Sequence, residues 1–308
     1  MIIQDGKTQQ GLIPIVDTHQ HLWDLELLRP PWLASVDDLL NRSYTAEIYD
    51  HEAQGTGIVQ AVYMEVDVAI PDRPRERELI SKLCIEKETC TGAAVFSGSV
   101  DDSSFLDELV DIGRHKSCRG IRQLLHPPTV ARGTLLSEQF SAGLTRLADA
   151  GLLFDICIRP RELADVIHVA KNHPNNTFVL DHCGNADPKV VSGQTGASED
   201  VVYAHERQQW LDDMAGIGQE SNVVCKISGI VARAESGWAA RDLSPTVNHC
   251  IDCFGEDRVV FGSDWPVCVP TTPLSGWVSA LREIVSDRSE RLQHKLLYQN
   301  AQRIYRLC

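Results

Sequence analysis

No run in the sequence approaches the roughly 20 apolar residues needed to span a bilayer, so no membrane helix is expected. There is also no basic run of five or more residues, and acidic side chains outnumber basic ones 43 to 29, a net charge of −14. Such a surface repels a polyanionic duplex, which argues against nucleic acid as a partner, although local cations can still hold a small acidic ligand. The opening Met1-Ile2-Ile3-Gln4-Asp5-Gly6-Lys7 has neither a basic nor an apolar leader segment, so a cytoplasmic location is expected. No G-x-G-x-x-G occurs, against an open sheet built for dinucleotides. Low-complexity linkers and internal repeats are missing, and residues 1–308 read as one domain. Ten cysteines are present without a disulfide-like framework. Cys250-Ile251-Asp252-Cys253 is the one C-x-x-C and has no second pair to complete a zinc site, so two thiols on a helix are expected. Cys157 and Cys225 fall in predicted strands and Cys84 and Cys90 on or beside a helix, as reduced, buried thiols do.

What is present is a repeating alternation. β-Branched runs lie near 13–18, 57–64, 92–98, 120–125, 153–158, 177–181, 223–228 and 259–263. Segments of helical period follow most of them, at 75–90, 104–115, 137–150, 161–173, 205–218, 245–254 and 275–286, with a last helix at 289–306. Between Arg75 and Lys87 the period is plain, with Leu79, Ile80, Leu83 and Ile85 apolar against Arg75, Arg77, Lys82 and Lys87. Eight strands alternating with helices predict the α/β class and a (β/α)8 TIM barrel with its active site at the C-terminal strand ends. Two insertions, 22–56 and 183–204, fall where loops rim such a site.

The strand ends carry the chemistry. Ile13-Pro14-Ile15-Val16 runs into Asp17-Thr18-His19-Gln20-His21, and on a strand residues two apart share a side, so His19 and His21 project together. They read as a ligand pair or as hydrogen-bonded core histidines. The second strand delivers Glu65 and Asp67, the fourth Arg122 and His126, the fifth Arg159 and Asp155, the sixth His182, the seventh Lys226 and the eighth Asp264. Glu65 is expected either to orient a histidine ring or to contact the ligand. Arg122 and Arg159 suit a carboxylate or a hydroxyl-rich ligand, or else close barrel-end ion pairs. Lys226 sits inside an apolar strand, where an unpaired ammonium is costly. His126, followed by two prolines, reads equally as surface loop or site.

These segments together resemble the lactonase branch of the amidohydrolase superfamily, the group of sugar-acid lactonases such as fuconolactonase and rhamnonolactonase. The similarity runs from Asp17-Thr18-His19-Gln20-His21-Leu22-Trp23-Asp24 through Arg29-Pro30-Pro31-Trp32, Gly120-Ile121-Arg122, Asp181-His182-Cys183-Gly184 and Cys225-Lys226-Ile227-Ser228-Gly229 to Gly262-Ser263-Asp264-Trp265-Pro266. The resemblance implies hydrolysis of a cyclic ester, with Asp264 as general base toward water and His182 beside it. It implies that His19, His21, His182 and Asp264 hold one divalent metal, zinc first, or that the histidines bond the substrate directly without metal. Binuclear relatives bridge two metals with a lysine after the H-x-H strand. No lysine lies between Lys7 and Lys82, so a binuclear site is not expected.

Lactone hydrolysis needs an activated water, a polarised carbonyl and a home for the oxyanion. Asp264 can take the proton, and Arg122, Lys226, Glu65, Arg159, Trp32 and His126 are the expected substrate-binding residues. Trp32 and Trp265 either pack on a sugar face or belong to the core. The expected partner is a small-molecule lactone, and an oligomer is compatible with the sequence. A metal-dependent decarboxylase, an amide hydrolase and a non-catalytic barrel binding protein are the rival readings.

Overall fold

Alternation along the strands sorts side chains to two destinations. Val62, Val95, Leu153, Val179, Val224 and Val260 meet in one buried cluster, while Phe154, Ile156, Phe178, Leu180 and Ile227 join a second, larger one. The first fills the inside of a barrel and the second lies between the barrel and its helices, as period-two strands buried on both faces require.

The computed structural model describes residues 3–4, 7–8, 11–36, 38–196, 198 and 200–307. Part of the opening Met1–Lys7 stretch, read above for a leader, lies outside the described residues. The barrel strands are β1 Ile15–Gln20, β2 Ile58–Met64, β3 Thr91–Ser97, β4 Cys118–Leu124, β5 Leu153–Cys157, β6 Phe178–Leu180, β7 Val223–Ile227 and β8 Val259–Phe261. All eight run parallel and pair in sequence order. The chain after β8 closes the ring onto β1: Asp264 N donates to His19 O at 2.9 Å and His21 N to Trp265 O at 2.8 Å. Thr18 Oγ1 adds a bond to Phe261 O at 2.6 Å.

The helices are α1 Ala46–Glu52, α2 Arg73–Glu86, α3 Phe105–Ile112, α4 Glu138–Asp149, α5 Leu163–Asn172, α6 Pro188–Ser192, α7 Arg207–Ile217, α8 Ala240–Phe254 and α9 Leu274–Ile284. The last stretch is α10 Glu290–His294, a π turn over Lys295–Gln299, and α11 Asn300–Ile304. Ala301, Ile304 and Tyr305 pack into the interior cluster and plug the barrel floor. Among the described residues no helix is long and apolar enough to cross a membrane.

Three boundaries differ from expectation for physical reasons. β1 continues to Gln20 because that residue pairs with Tyr63, across a register irregularity between Asp17 and Gln20, so His19 lies within the strand rather than beyond it. The helix expected at 245–254 starts at Ala240, because Asp242 accepts from Ala239 N at 2.8 Å and Pro245 is carried inside. The 22–56 insertion holds the unforeseen helix α1, whose Tyr49 hydroxyl donates to Asp17 Oδ2 at 2.6 Å. Asp17 also accepts from the backbone nitrogens of His19 (3.0 Å) and Ser263 (2.8 Å), pinning the tops of β1 and β8 together.

Candidate active site

Two positions beyond the apolar interior residues Leu153, Val179 and Val224 come Asp155, Asp181 and Lys226, so a charged layer rests directly on the valine layer. Lys226 Nζ lies 2.5 Å from Asp155 Oδ2 and 2.9 Å from Asp181 Oδ1. Tyr305, from the floor, donates to Asp155 Oδ2 at 3.0 Å. Burial works against the Lys226 charge, but Asp155 and Asp181 outweigh it and raise its pKa above the ordinary lysine range. Burial also pushes Asp155 up to about 6 against the pull of Lys226. Asp181 is held well below the ordinary range, because Lys226 and His19 overcome its burial.

The histidines sit on this layer. Nδ1 of His19 lies 3.3 Å from Lys226 Nζ and 3.5 Å from Asp181 Oδ1. An Nδ1–H aimed at that carboxylate leaves Nε2 with its lone pair. His21 Nδ1 lies 3.0 Å from Met64 O, an acceptor only, so it carries the proton and Nε2 is bare. His182 Nδ1 lies 2.9 Å from Ser228 Oγ. The bare edges converge on Asp264: its Oδ1 is 3.4 Å from His21 Nε2 and 3.6 Å from His19 Nε2, and the two imidazoles are 3.1 Å apart. Burial favours a neutral Asp264, yet His182, His21 and His19 outweigh it and hold the group well below the usual carboxylate range. Burial lowers His182 to about 4 despite Asp264 and Asp181, so its imidazole is neutral near pH 7.

The backbone is forced where this chemistry sits. His182 (φ 57°) and Asp264 (φ 59°) both adopt the left-handed region. For residues with a Cβ that conformation costs on the order of 1–3 kcal/mol and is found where function needs the side chain re-aimed. Gly229 (φ 69°) is equally constrained, since a Cβ there would lie 2.4 Å from His182 Nδ1.

Ligand atoms of His19, His182 and Asp264 all lie within 4.8 Å of one another, a hard-and-borderline donor set that suits one divalent ion such as zinc. Arg122 Nη1 stands 3.2 Å from His19 Nε2, so guanidinium and metal compete for that lone pair.

A cleft of about 840 Å³ opens above, with His21, His182, Asp264 and Arg122 in its wall. Trp32 lines it too, its Nε1 bound to Val66 O at 2.7 Å, and so does His126, whose pKa is lowered to about 3 by burial and then by Arg122 and Arg233. Other expected ligands lie elsewhere. Glu65 is buried behind the wall, gripping Arg122 through Nε at 2.6 Å and through its own carbonyl at 2.9 Å. Lys226 is fully buried in the charged layer and does not reach the cleft. Arg159 turns away to Glu162 and to the carbonyls of Pro127 and Val130. Trp265 is core, packed edge-on against Tyr44 and Tyr49. Asp67 is in the wall. Cys250 leaves its C-x-x-C partner and clusters instead with Cys183 and Cys225, buried away from the cleft.

Sequence reasoning passed over Asn185, Tyr203 and Arg233, all in the cleft wall. They stand on irregular turns, where no periodicity marks an inward side chain. The available signal was position alone, in loops that follow the sixth and seventh strands.

The amidohydrolase family matches residues 16–307 of this sequence. The chain belongs to that family. The L-fucono-1,5-lactonase of Burkholderia multivorans is 27% identical over 259 residues, covering 82% of each chain. A crystal structure of an amidohydrolase from Burkholderia multivorans with bound zinc superposes with a TM-score of 0.81 at 24% identity, over 96% of this chain and 100% of the other. A 2,6-dihydroxybenzoate decarboxylase shares the fold more distantly, with a TM-score of 0.66 and 13% identity over 96% of this chain and 99% of the other. As a member of this family with lactonase relatives, the chain is an enzyme.

Proposed function

We propose that this amidohydrolase is a lactonase, opening the cyclic ester of a sugar acid. The observation that carries the reading is the convergence of His21, His182 and Asp264 beside Arg122 in one cleft wall. The fuconolactonase relatives supply the ester chemistry.

His19, His21, His182 and Asp264 would hold one divalent metal, with zinc favoured by the donor set and by the zinc in the Burkholderia relative. Bound there, the ion would polarise the lactone carbonyl and lower the pKa of a water. The remaining work falls to side chains. Asp264, ionised at neutral pH, receives the proton of the attacking water. The water oxygen bonds to the carbonyl carbon, and Arg122, fixed by Glu65, faces the oxyanion with its guanidinium. On collapse the bond from carbonyl carbon to ring oxygen breaks, and the proton on Asp264 passes to that oxygen. The product is a hydroxy acid, which at neutral pH releases one proton. The neutral His182, held by Ser228, keeps a lone pair or a donor toward the same centre.

The test follows acid release with a pH indicator across aldonolactones and a muconolactone, before and after chelation and re-addition of zinc or manganese. Rapid hydrolysis of one stereochemical series is expected, with loss on chelation if the metal is needed. If folded, metal-replete protein opens no lactone, the reading fails, and carbon dioxide release from aromatic acids becomes the experiment.

A further inference from the structure

Three cysteines show the ordinary arrangement for a buried or half-buried thiol, a partner other than sulfur. Cys118 Sγ donates to Gly120 O at 3.4 Å, Cys157 Sγ lies 3.2 Å from His126 Nδ1, and Cys253 Sγ lies 3.4 Å from His249 Nε2. Cys183, Cys225 and Cys250 differ. Their Sγ atoms all lie within 4.8 Å of one another, and all three residues are fully buried. They come from separate parts of the fold: Cys225 from β7, Cys250 from α8 and Cys183 from the turn after β6. Of the side-chain clusters spaced to hold an ion among the described residues, this is the one made of sulfur alone.

The backbone is strained to complete it. His182, Cys183, Gly184 and Asn185 carry four consecutive positive φ values of 57°, 53°, 67° and 58°. That region is unfavourable for any residue with a Cβ, and it is ordinarily visited one residue at a time. The turn places His182 in the cleft wall and Cys183 away from it, beside the other two thiols. Trp210 Nε1 braces the turn, donating to Cys183 O at 3.0 Å.

The spacing and the burial together define what would fit. With metal–sulfur bonds of about 2.3 Å, three sulfurs around one ion stand roughly 4 Å apart. The triad therefore has to contract by less than about 1 Å to close on an ion, a distance that small side-chain rotations supply. A donor set of sulfur alone selects soft d10 ions over magnesium, calcium or manganese. Burial then selects the charge. A divalent ion with two thiolates and one retained thiol is neutral. A monovalent ion in the same two-thiolate set leaves a net charge where no water reaches.

We infer that Cys183, Cys225 and Cys250 form a site for one soft divalent ion of the zinc and cadmium class, distinct from the His–Asp centre and joined to it through the His182–Cys183 peptide. Binding releases two thiol protons to solvent and forms three metal–sulfur bonds, two to thiolates and one to the remaining thiol. The site stands whether or not the cleft opens lactones.

The test uses the full chain, cleared of metal by dialysis against chelator and kept reduced with a phosphine. Cadmium is the probe, because thiolate–cadmium bonds give an ultraviolet charge-transfer band that imidazole and carboxylate ligands do not. It is added to the folded protein and, in a second arm, during refolding from urea, since the triad is closed to solvent. Wild type is expected to show the band in at least one arm, with about one more bound cadmium per chain than Cys225→Ala or Cys250→Ala. Both of those variants lose the band, while Cys253→Ala, at the other thiol of the C-x-x-C, keeps it. Thermal melting of the metal-free proteins confirms folding. X-ray absorption at the cadmium edge of wild type needs no variant, and sulfur neighbours are expected there. A band absent from wild type in both arms, one that survives in a folded triad variant, or one that Cys253→Ala also removes overturns the inference. So does an absorption spectrum with nitrogen and oxygen neighbours alone.

Discussion

Ser228 offers one hydroxyl to two atoms of His182, lying 2.9 Å from its Nδ1 and 3.3 Å from its backbone nitrogen. Side chain and main chain of the histidine are thus fixed by a single residue from the neighbouring strand end. Ser228→Ala should leave the barrel folded and free the ring to turn. Loss of such a supporting partner costs about tenfold to a hundredfold in metal affinity or turnover. Zinc content after dialysis, measured beside kcat, checks this. Unchanged values for both would mean that Gly229 packing alone orients the ring.

Asp264→Asn is expected to fold normally, because asparagine tolerates the left-handed backbone found there. Turnover should fall by about a hundredfold to ten-thousandfold, the span typical of a lost proton acceptor. Circular dichroism and steady-state rates on the same preparation decide it. Near-wild-type turnover removes Asp264 from the mechanism.

Lys226→Met leaves Asp155 and Asp181 buried without their cation. Breaking a buried pair from one side costs about 3–5 kcal/mol. Urea unfolding should report that loss as a lower midpoint. The double variant Lys226→Met with Asp155→Asn should recover part of it, and a failure to recover would place the cost in packing rather than charge.

Glu76, buried on α2, accepts from the Tyr63 hydroxyl at 2.8 Å and from Val66 N at 3.2 Å. Burial first, then the Glu65 charge, raise its pKa from 4.5 to about 7. The native state therefore holds this proton more tightly than the unfolded chain does. Its stabilising contribution is complete below pH 4.5 and is lost as pH climbs to about 7, at about 1.4 kcal/mol per pKa unit. Glu76→Gln should gain stability relative to wild type across that window and run parallel to it above. A difference between the two proteins that does not change with pH would refute the assignment.

The barrel was legible because Leu153-Phe154-Asp155, Phe178-Val179-Leu180-Asp181 and Val224-Cys225-Lys226 each write an inward apolar residue followed, two positions on, by an inward charge. What the pattern does not encode is depth. Lys226 and Arg122 look alike along their strands, yet pairing with Asp155 and Asp181 holds one inside the barrel, while Glu65 leaves the other at the cleft. Arg159 carried a local clue in Glu162, three residues on, the distance at which a charge pair closes in one turn. Arg233 and Tyr203 lacked even that, because their meeting depends on how two loops fold over the strand ends.

The support of His19 runs downward through Asp181, Lys226 and Asp155 to the hydroxyl of Tyr305. A residue made early in translation is thus braced, through three intermediaries, by one made hundreds of peptide bonds later. On the ribosome, β1 emerges with its histidines long before the helix that plugs the floor exists. The charged layer lacks one of its hydrogen-bond donors until that helix docks. Fragments that stop short of Tyr305 would carry every cleft residue named above and still lack the seat beneath them.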